Sequence, residues 1–279
     1  AVQEQYLLRS LEIVQLLNIS SEKKYKLEKS LLLDVEHLYH FTSQADKQKL
    51  TLKKLQRLFR SSKDPDLKVQ ILLVQYKMQI TVGRAISALR YASKALKIAS
   101  SNGIENAKAL AEYSIGNTYM RAGSYIKCRK FVENALAKYI KIGDKKGLSM
   151  CYNSLGLITT EENKWNESLQ YYKKQIDISR KLNDFEGITA SYNNIAIVHY
   201  KRRNYKEAKK FFMKVLRLSK KINNKSAYST AAINLGVLEY LSGRFEKALE
   251  FYSIKLNISE ELGDLRGMMN ANNNIASIL

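Results

Sequence analysis

A period of forty residues organises most of this sequence. When the chain is shifted by forty residues against itself, the same kinds of side chain recur in the same order. Each unit has a small residue, then an aromatic residue and a second small residue, and a Gly or Asn separates it from the next unit. The first small residue stands at Gly116, Gly156, Ala196, Gly236 and Ala276, the aromatic residue at Tyr125, Trp165, Tyr205 and Phe245, the second small residue at Cys128, Ser168, Ala208 and Ala248, and the separating residue at Gly103, Gly143, Asn183, Asn223 and Gly263.

Each unit is predicted to be a hairpin of two helices. Gly or Asn after a helix can adopt the left-handed conformation that ends it. Asp144, Asp184 and Asp264 follow at once, where a carboxylate stabilises the start of the next helix. The first small residue lets the two helices approach closely, and the aromatic residue is expected to fill the space at the hairpin turn. The single Pro and 12 Gly among 279 residues make a turn-rich β-sandwich or barrel unlikely to form.

These residues resemble the tetratricopeptide repeat family. Tyr152, the Leu155–Gly156 pair, Ser168 and Tyr172 match its consensus in part, and the later units match it better through Ala208, Phe212, Ala248 and Tyr252, while Ala88, Ala92 and Ala95 fit an earlier unit. The period is forty instead of about thirty-four, and the usual Pro after the second helix is missing. Both departures are typical of the long-helix variant in cell-polarity scaffolds, bacterial sensors and peptide receptors. The resemblance implies an all-α, right-handed α-solenoid of stacked helix-turn-helix repeats.

The repeats set the predicted domain organisation. Residues 63–279 form the repeat domain, in the units 63–102, 103–142, 143–182, 183–222 and 223–262 with a half unit at 263–279. Residues 1–62 follow the period only loosely, and we expect three helices there, at 2–17, 22–41 and 45–60, as an N-terminal cap and a degenerate repeat. The last half unit leaves an apolar face without a capping helix, so we expect the natural chain to continue.

The resemblance also implies a concave groove lined by the first helices. Asparagine recurs there in nearly the same register, and its carboxamide matches the donor and acceptor of a peptide unit. A ladder of asparagines interleaved with aliphatic and aromatic side chains favours an extended peptide held by its backbone. The alternative is that these asparagines only cap local backbone groups or reflect a coding bias. The predicted groove residues are Tyr113, Asn117, Asn153, Leu157, Asn193, Asn194, Ile197, Tyr200, Asn234, Val237, Tyr240, Asn273 and Asn274.

Net charge is high but uneven. The chain has 47 Lys and Arg against 26 Asp and Glu, a net charge of +21, yet the charge over residues 223–279 is −1. A basic stripe on a second helix is predicted to lie on the convex side, where it either keeps the protein soluble or binds nucleic acid or an anionic surface. An acidic peptide would gain on-rate from the overall field. The predicted basic surface consists of Lys201, Arg202, Arg203, Lys206, Lys210, Lys214, Arg217 and Lys221.

Catalytic and metal sites are not indicated by any motif. His37 and His40 have no third ligand at a suitable spacing, and His199 occupies a packing position of the repeat. The sequence has no phosphate-binding loop, dinucleotide fingerprint or zinc-protease motif, so we expect neither an enzyme nor a cofactor. The two cysteines, Cys128 and Cys151, are too few for a disulfide framework and favour a reducing, cytoplasmic compartment. There is no apolar stretch long enough to span a membrane.

The sequence therefore favours a protein–protein interaction module that binds a peptide or an extended partner segment, as part of a larger signalling or scaffold protein. One alternative is nucleic-acid or anionic-surface binding by the basic convex side. Another, implied by the resemblance, is a cytosolic receptor for a bacterial signalling peptide, although residues 1–62 show no compact helix-turn-helix. The oligomeric state does not follow from the sequence.

Overall fold

The structure, a computed structural model, describes residues 2–278, and they form fourteen α-helices with short turns. Contacts divide the chain into two compact units, one up to Ile142 (unit 1) and one from Gly143 onward (unit 2). Unit 1 contains α1 Val2–Leu16, α2 Ser21–Phe41, α3 Ala45–Ser62, α4 Pro65–Thr81, α5 Ala85–Ser101, α6 Glu105–Arg121 and α7 Tyr125–Ile142. Unit 2 contains α8 Lys145–Glu161, α9 Trp165–Lys181, α10 Phe185–Lys201, α11 Tyr205–Lys221, α12 Lys225–Leu241, α13 Phe245–Leu262 and α14 Leu265–Ala276.

The predicted all-α architecture of stacked helical hairpins is confirmed. The three N-terminal helices also lie within two residues of the predicted bounds. The predicted division of the chain at residue 62 stays a prediction, and Leu279, the end of the predicted half repeat, lies outside the described residues. Within residues 2–278, no helix combines the length and apolar character that a membrane span requires.

A left-handed residue marks every turn from Ser43 onward, at an interval of twenty residues. Gly and Asn occupy most of these positions, but Ser43, Lys63 and Arg203 adopt the same conformation, with φ between 51° and 58°. The forty-residue period of the sequence includes only every second of these positions, because each repeat contains two turns. The register includes α2 and α3, which form a hairpin in step with the later ones, although Ser43 and Lys63 replace the usual Gly or Asn.

In two hairpins of unit 2, the helices approach so closely that one contact point excludes a side chain. A Cβ atom added to Gly156 would lie 2.5 Å from the ring of Tyr172, and one added to Gly236 would lie 2.4 Å from the ring of Tyr252. Both rings are almost completely buried. The predicted role of the small residue, close helix approach, is therefore confirmed in these hairpins.

The first helix of each hairpin (A helix) and the second (B helix) have different neighbours. In unit 2, α8 contacts α10 and α10 contacts α12, whereas neighbouring B helices do not pack together to this extent. The A helices therefore lie on the inner side of unit 2, with the B helices spread apart outside. The aromatic residue at the hairpin turn is less buried than predicted: Tyr205 is 40% exposed and Phe245 is 49% exposed, because each ring packs on one side only, against Tyr200 and Tyr240.

A buried ion cluster stabilises the end of α12. Glu239 is 1% exposed, and its carboxylate pairs with Lys209 of α11, at 2.5 Å, and with Arg244 of the following turn. Burial alone would raise the pKa of Glu239, but the hydrogen bonds from Lys209 and Arg244 outweigh it and hold the pKa below its ordinary value. The carboxylate thus connects two consecutive hairpins of unit 2.

Replacing Arg203 by Gly should stabilise the protein. Arg203 has φ 58°, a conformation that disfavours any residue with a Cβ atom. We expect Arg203→Gly to raise the free energy of unfolding by about 0.5–1 kcal/mol in urea denaturation. The neighbouring Arg202 has φ −78°, so the matched variant Arg202→Gly should lower it. A shift of both variants in the same direction would contradict this account.

Replacing Glu239 by Gln should lower stability and change its dependence on pH. We expect Glu239→Gln to cost about 1–3 kcal/mol near pH 7, since a neutral amide cannot serve two cations. Because the folded pKa lies below the ordinary value of 4.5, the carboxylate contributes fully above that pH and its contribution is lost as the pH falls toward the folded pKa. The difference between wild type and variant, measured by urea denaturation, should therefore shrink on acidification. Glu246→Gln, at an exposed position, serves as control. If the stability difference between wild type and Glu239→Gln grew in acid, the proposed role of the buried ion cluster would be wrong.

Candidate functional site

The predicted groove residues divide between the two units. Tyr113 and Asn117 belong to α6 of unit 1, where both are half-buried. The others lie on the A helices of unit 2, and this surface is called the A-helix face below. It carries Asn153 and Leu157 on α8, Asn193, Asn194, Ile197 and Tyr200 on α10, Asn234, Val237 and Tyr240 on α12, and Asn273 and Asn274 on α14.

Some of the predicted asparagines connect neighbouring A helices. The side-chain amide of Asn194 donates a hydrogen bond of 3.0 Å to the carboxamide oxygen of Asn153, forty-one residues earlier. In unit 1, Asn117 donates in a similar way to the hydroxyl of Tyr76, at 3.1 Å. Asn274 donates within its own helix, to Asn270. These asparagines therefore have the structural role that the sequence left open as an alternative.

The equivalent pair one repeat later is not hydrogen-bonded. Asn193 and Asn234 are also forty-one residues apart, yet neither forms a side-chain hydrogen bond within the described part of the chain. The carboxamide oxygen of Asn193 is buried and has no partner. Buried polar atoms are almost always hydrogen-bonded, and an orphaned acceptor costs free energy. An orphan of this kind on an accessible face is a position where a ligand donor fits.

A cavity of about 370 Å³ lies between α10 and α12, and Asn193 is one of the residues that line it. Besides Asn193, its lining includes polar side chains that sequence reasoning missed, among them Glu186, Thr189, Asn224 and Thr230. Helical spacing could have found two of them: Thr189 and Glu186 precede Asn193 by four and seven residues and share its helix face. The volume lies within the range of ligand sites in proteins.

Between the asparagines, the A-helix face carries apolar side chains and little net charge. Leu157, Ile197 and Val237 are half-buried at equivalent positions of three A helices. Tyr200 and Tyr240 are each 37% exposed and are held in place by the aromatic residue of the following hairpin turn. The charges of Lys201 and Glu161 cancel at the rim, where they pair at 2.8 Å.

The predicted basic stripe lies on the opposite side of the hairpins. Lys206, Lys210, Lys214, Arg217 and Lys221 of α11 are exposed, while Ala208, Phe212 and Val215 of the same helix are buried. The rest of the predicted basic surface is separate: Lys201 ends an A helix, and Arg202 and Arg203 form the turn after it. Nucleic-acid or anionic-surface binding by these residues stays a prediction.

The two cysteines and His199 have packing environments. Cys128 and Cys151 are completely buried and free, and burial raises the pKa of their thiols to about 11 and about 12. Burial lowers the pKa of His199, whose ring stacks on Phe211 at 5.7 Å, so the expected packing role is confirmed. Among residues 2–278, no group of three or more potential ligands from His, Cys, Asp and Glu is placed to hold a metal ion.

Comparison with known families identifies the repeat. A model of the tetratricopeptide repeat family matches residues 107–181 and 187–253, together just over half of the chain. The chain belongs to the tetratricopeptide repeat family. The resemblance read from the consensus positions is thereby confirmed. No curated protein matches the sequence.

Solved structures share the tetratricopeptide fold of this chain at low sequence identity. A signal transduction ATPase with numerous domains and a tetratricopeptide repeat sensor, from Pyrococcus horikoshii, aligns over 98% of this chain, with 15% identity and a TM-score of 0.67, and this chain spans 42% of its length. NprR in complex with its cognate peptide NprX aligns over 99% of this chain and 80% of its own, with 16% identity and a TM-score of 0.65. A Rap protein complexed with Competence and Sporulation Factor aligns over 99% and 85%, with 16% identity and a TM-score of 0.66.

Asn153, which is hydrogen-bonded, and Asn193, whose oxygen has no partner, should respond differently to truncation. Asn153→Ala removes the acceptor of Asn194 and should lower the free energy of unfolding by about 1–2 kcal/mol. Asn193→Ala removes an acceptor without a partner and adds a better helix former, so it should stay within about 0.5 kcal/mol of wild type or exceed it. Urea denaturation of both variants measures the contrast. An equal loss in both would show that Asn193 has a structural role.

Proposed function

We propose that this chain is a regulatory binding module whose A-helix face captures an extended peptide or partner segment through its backbone. The observation that carries the proposal is that Asn193 lines a cavity of about 370 Å³ while its buried carboxamide oxygen has no partner. A peptide N–H would satisfy this oxygen, and the amide of the same side chain would donate to a peptide carbonyl. Ligand binding would thus remove the free-energy cost of the unsatisfied oxygen in the free protein.

The spacing of the repeat suits an extended chain. Packed helices lie about 8–10 Å apart, which is the length of about three residues of an extended peptide. Asn193 and Asn234, on neighbouring A helices, would then contact backbone groups about three residues apart. Leu157, Ile197 and Val237 offer apolar contacts between them, and their shapes would select the ligand's side chains.

The charge of the face favours a ligand of low charge. Glu186 lines the cavity without an ion pair in the described residues, and Lys201 is neutralised by Glu161. An acidic peptide, as the net charge of +21 suggested, would meet the carboxylate of Glu186 instead of a free cation. The basic excess therefore assists the approach of such a ligand more than its binding at the cavity.

Proteins of the same fold support this role. NprR is known with its cognate peptide bound, and the Pyrococcus horikoshii protein carries its repeats as a sensor. We extend the proposal to a cytoplasmic receptor for a short signalling peptide within a larger regulatory protein. The two free, buried thiols, Cys128 and Cys151, suit the reducing conditions of that compartment.

Affinity selection tests the proposal. Wild-type protein is incubated with a synthetic library of unmodified peptides of about five to ten residues, and retained peptides are identified by mass spectrometry. The variant Asn193→Ala/Asn234→Ala should bind the retained peptides about ten- to a hundredfold more weakly, since each carboxamide supplies about one net hydrogen-bond contribution. Isothermal titration calorimetry with individual peptides measures the change.

A matched control separates the face from the rest of the molecule. Asn257 is exposed on the B helix α13, and Asn257→Ala should bind the same peptides as tightly as wild type. If the library yields no peptide, or if the double variant retains full affinity while folded, the proposal is wrong.

A further inference from the structure

A second cavity opens on the opposite side of unit 2, between the B helices α9 and α11. Its volume is about 480 Å³, and we call it the α9–α11 cleft. Leu169 and Ile176 of α9 form one wall, Phe211 of α11 forms the other, and Ile195 of α10 lies at the floor. From Leu169 to Arg180 the lining follows α9 for about 16 Å, or three helical turns. The cleft is therefore elongated along the two helices.

The rim of the cleft is cationic. Lys173 and Arg180 line it on α9 and Lys214 lines it on α11, against one carboxylate, Asp177, which lies 3.8 Å from the guanidinium of Arg180. The two helices together contain eleven Lys and Arg but only three Asp and Glu, whereas α13, the next B helix, contains two and four. Within unit 2 the basic excess therefore belongs to the two helices that wall this cleft and is not shared by the next B helix. Its complement is an anionic partner.

The side chains of the cleft are poorly arranged for a nucleic acid or a lipid surface. The Lys214 ammonium lies over the rings of Tyr192 and Phe211, 5.2 Å and 4.6 Å from their centroids, and His199 stacks on the same Phe211. These ring faces are occupied and are not open for stacking bases. The aliphatic side chains are recessed below the cations, whereas membrane insertion needs protruding apolar groups. Both observations favour a partner that brings apolar side chains into the cleft.

We propose that the α9–α11 cleft docks an acidic amphipathic helix of a partner protein. Apolar residues one turn apart on that helix would pack on Leu169 and Ile176 and against the edge of the Phe211 ring, and carboxylates on its flanks would pair with Lys173, Arg180 and Lys214. The Nδ1 atom of His199, buried in the lining without a hydrogen bond, would accept or donate to a polar side chain of the partner. This site is separate from the A-helix face and does not depend on peptide capture there.

A designed peptide tests the cleft on the full 279-residue chain. The probe is a fluorescein-labelled helical peptide of about fourteen residues with Leu at the spacing i, i+3, i+4 and i+7 and Glu on both flanks. A second peptide has the same composition in an order that places the Leu residues on no common face. Fluorescence anisotropy should show binding of the first peptide and at least about tenfold weaker binding of the second, since only the first presents a continuous apolar stripe.

Charge reversal locates the binding site. Lys173→Glu/Lys214→Glu should weaken binding of the patterned peptide at least about tenfold, because both rims then repel its carboxylates. The matched control Lys181→Glu/Lys206→Glu changes the same two helices by the same charge outside the lining, and it should weaken binding less than about threefold. Circular dichroism verifies that both variants fold.

Several results would overturn the proposal. One is an absence of binding to wild type at about 100 μM peptide. The others are equal binding of the two peptides and equal weakening by the two charge reversals, since either would mean that only a general electrostatic attraction acts. Tighter binding of a DNA duplex or of phosphatidylserine vesicles that is lost in Lys173→Glu/Lys214→Glu would assign the cleft to another class of partner.

Discussion

The close contact between the two helices of each hairpin is the constraint on which the rest of the structure depends. In two hairpins of unit 2, Gly156 and Gly236 lie against the rings of Tyr172 and Tyr252 with no room for a methyl group. This contact fixes the distance between the A and B helices of a hairpin. The same surface of each hairpin therefore packs against the next hairpin. Stacking then places A helices beside A helices, and the A-helix face and the α9–α11 cleft result on opposite sides.

The twenty-residue interval of left-handed turns keeps these faces in register along the chain. Because every helix from α3 onward begins two residues after a left-handed residue, residues forty positions apart occupy equivalent places. The conformation is required even where the side chain disfavours it, as at Lys63 and Arg203. The repeat therefore survives where the sequence pattern fades, and α2 and α3 remain a hairpin although their sequence resembles the consensus only loosely.

Side chains at equivalent repeat positions nevertheless have different roles. The pair Asn153 and Asn194 closes a hydrogen bond between neighbouring helices, whereas the pair Asn193 and Asn234 leaves a buried acceptor without a partner. The first pair stabilises the stack, and the second gives up stability at a cavity edge, as binding sites commonly do. The B helices show a similar division, since α9 and α11 are strongly basic and α13 is not.

The sequence by itself determined the helical class, the forty-residue hairpin, the small residues that permit close packing and the family, because these depend on local propensity and on a periodic pattern that every unit repeats. It also placed the asparagines of the A-helix face in register. Only the tertiary structure decided which of them are bonded to each other, that Glu186 and Thr189 border a cavity, and that Lys214 covers aromatic rings beside a cleft. These features arise between helices of neighbouring repeats, where side-chain rotamers and packing distances, and not sequence spacing, decide which atoms meet.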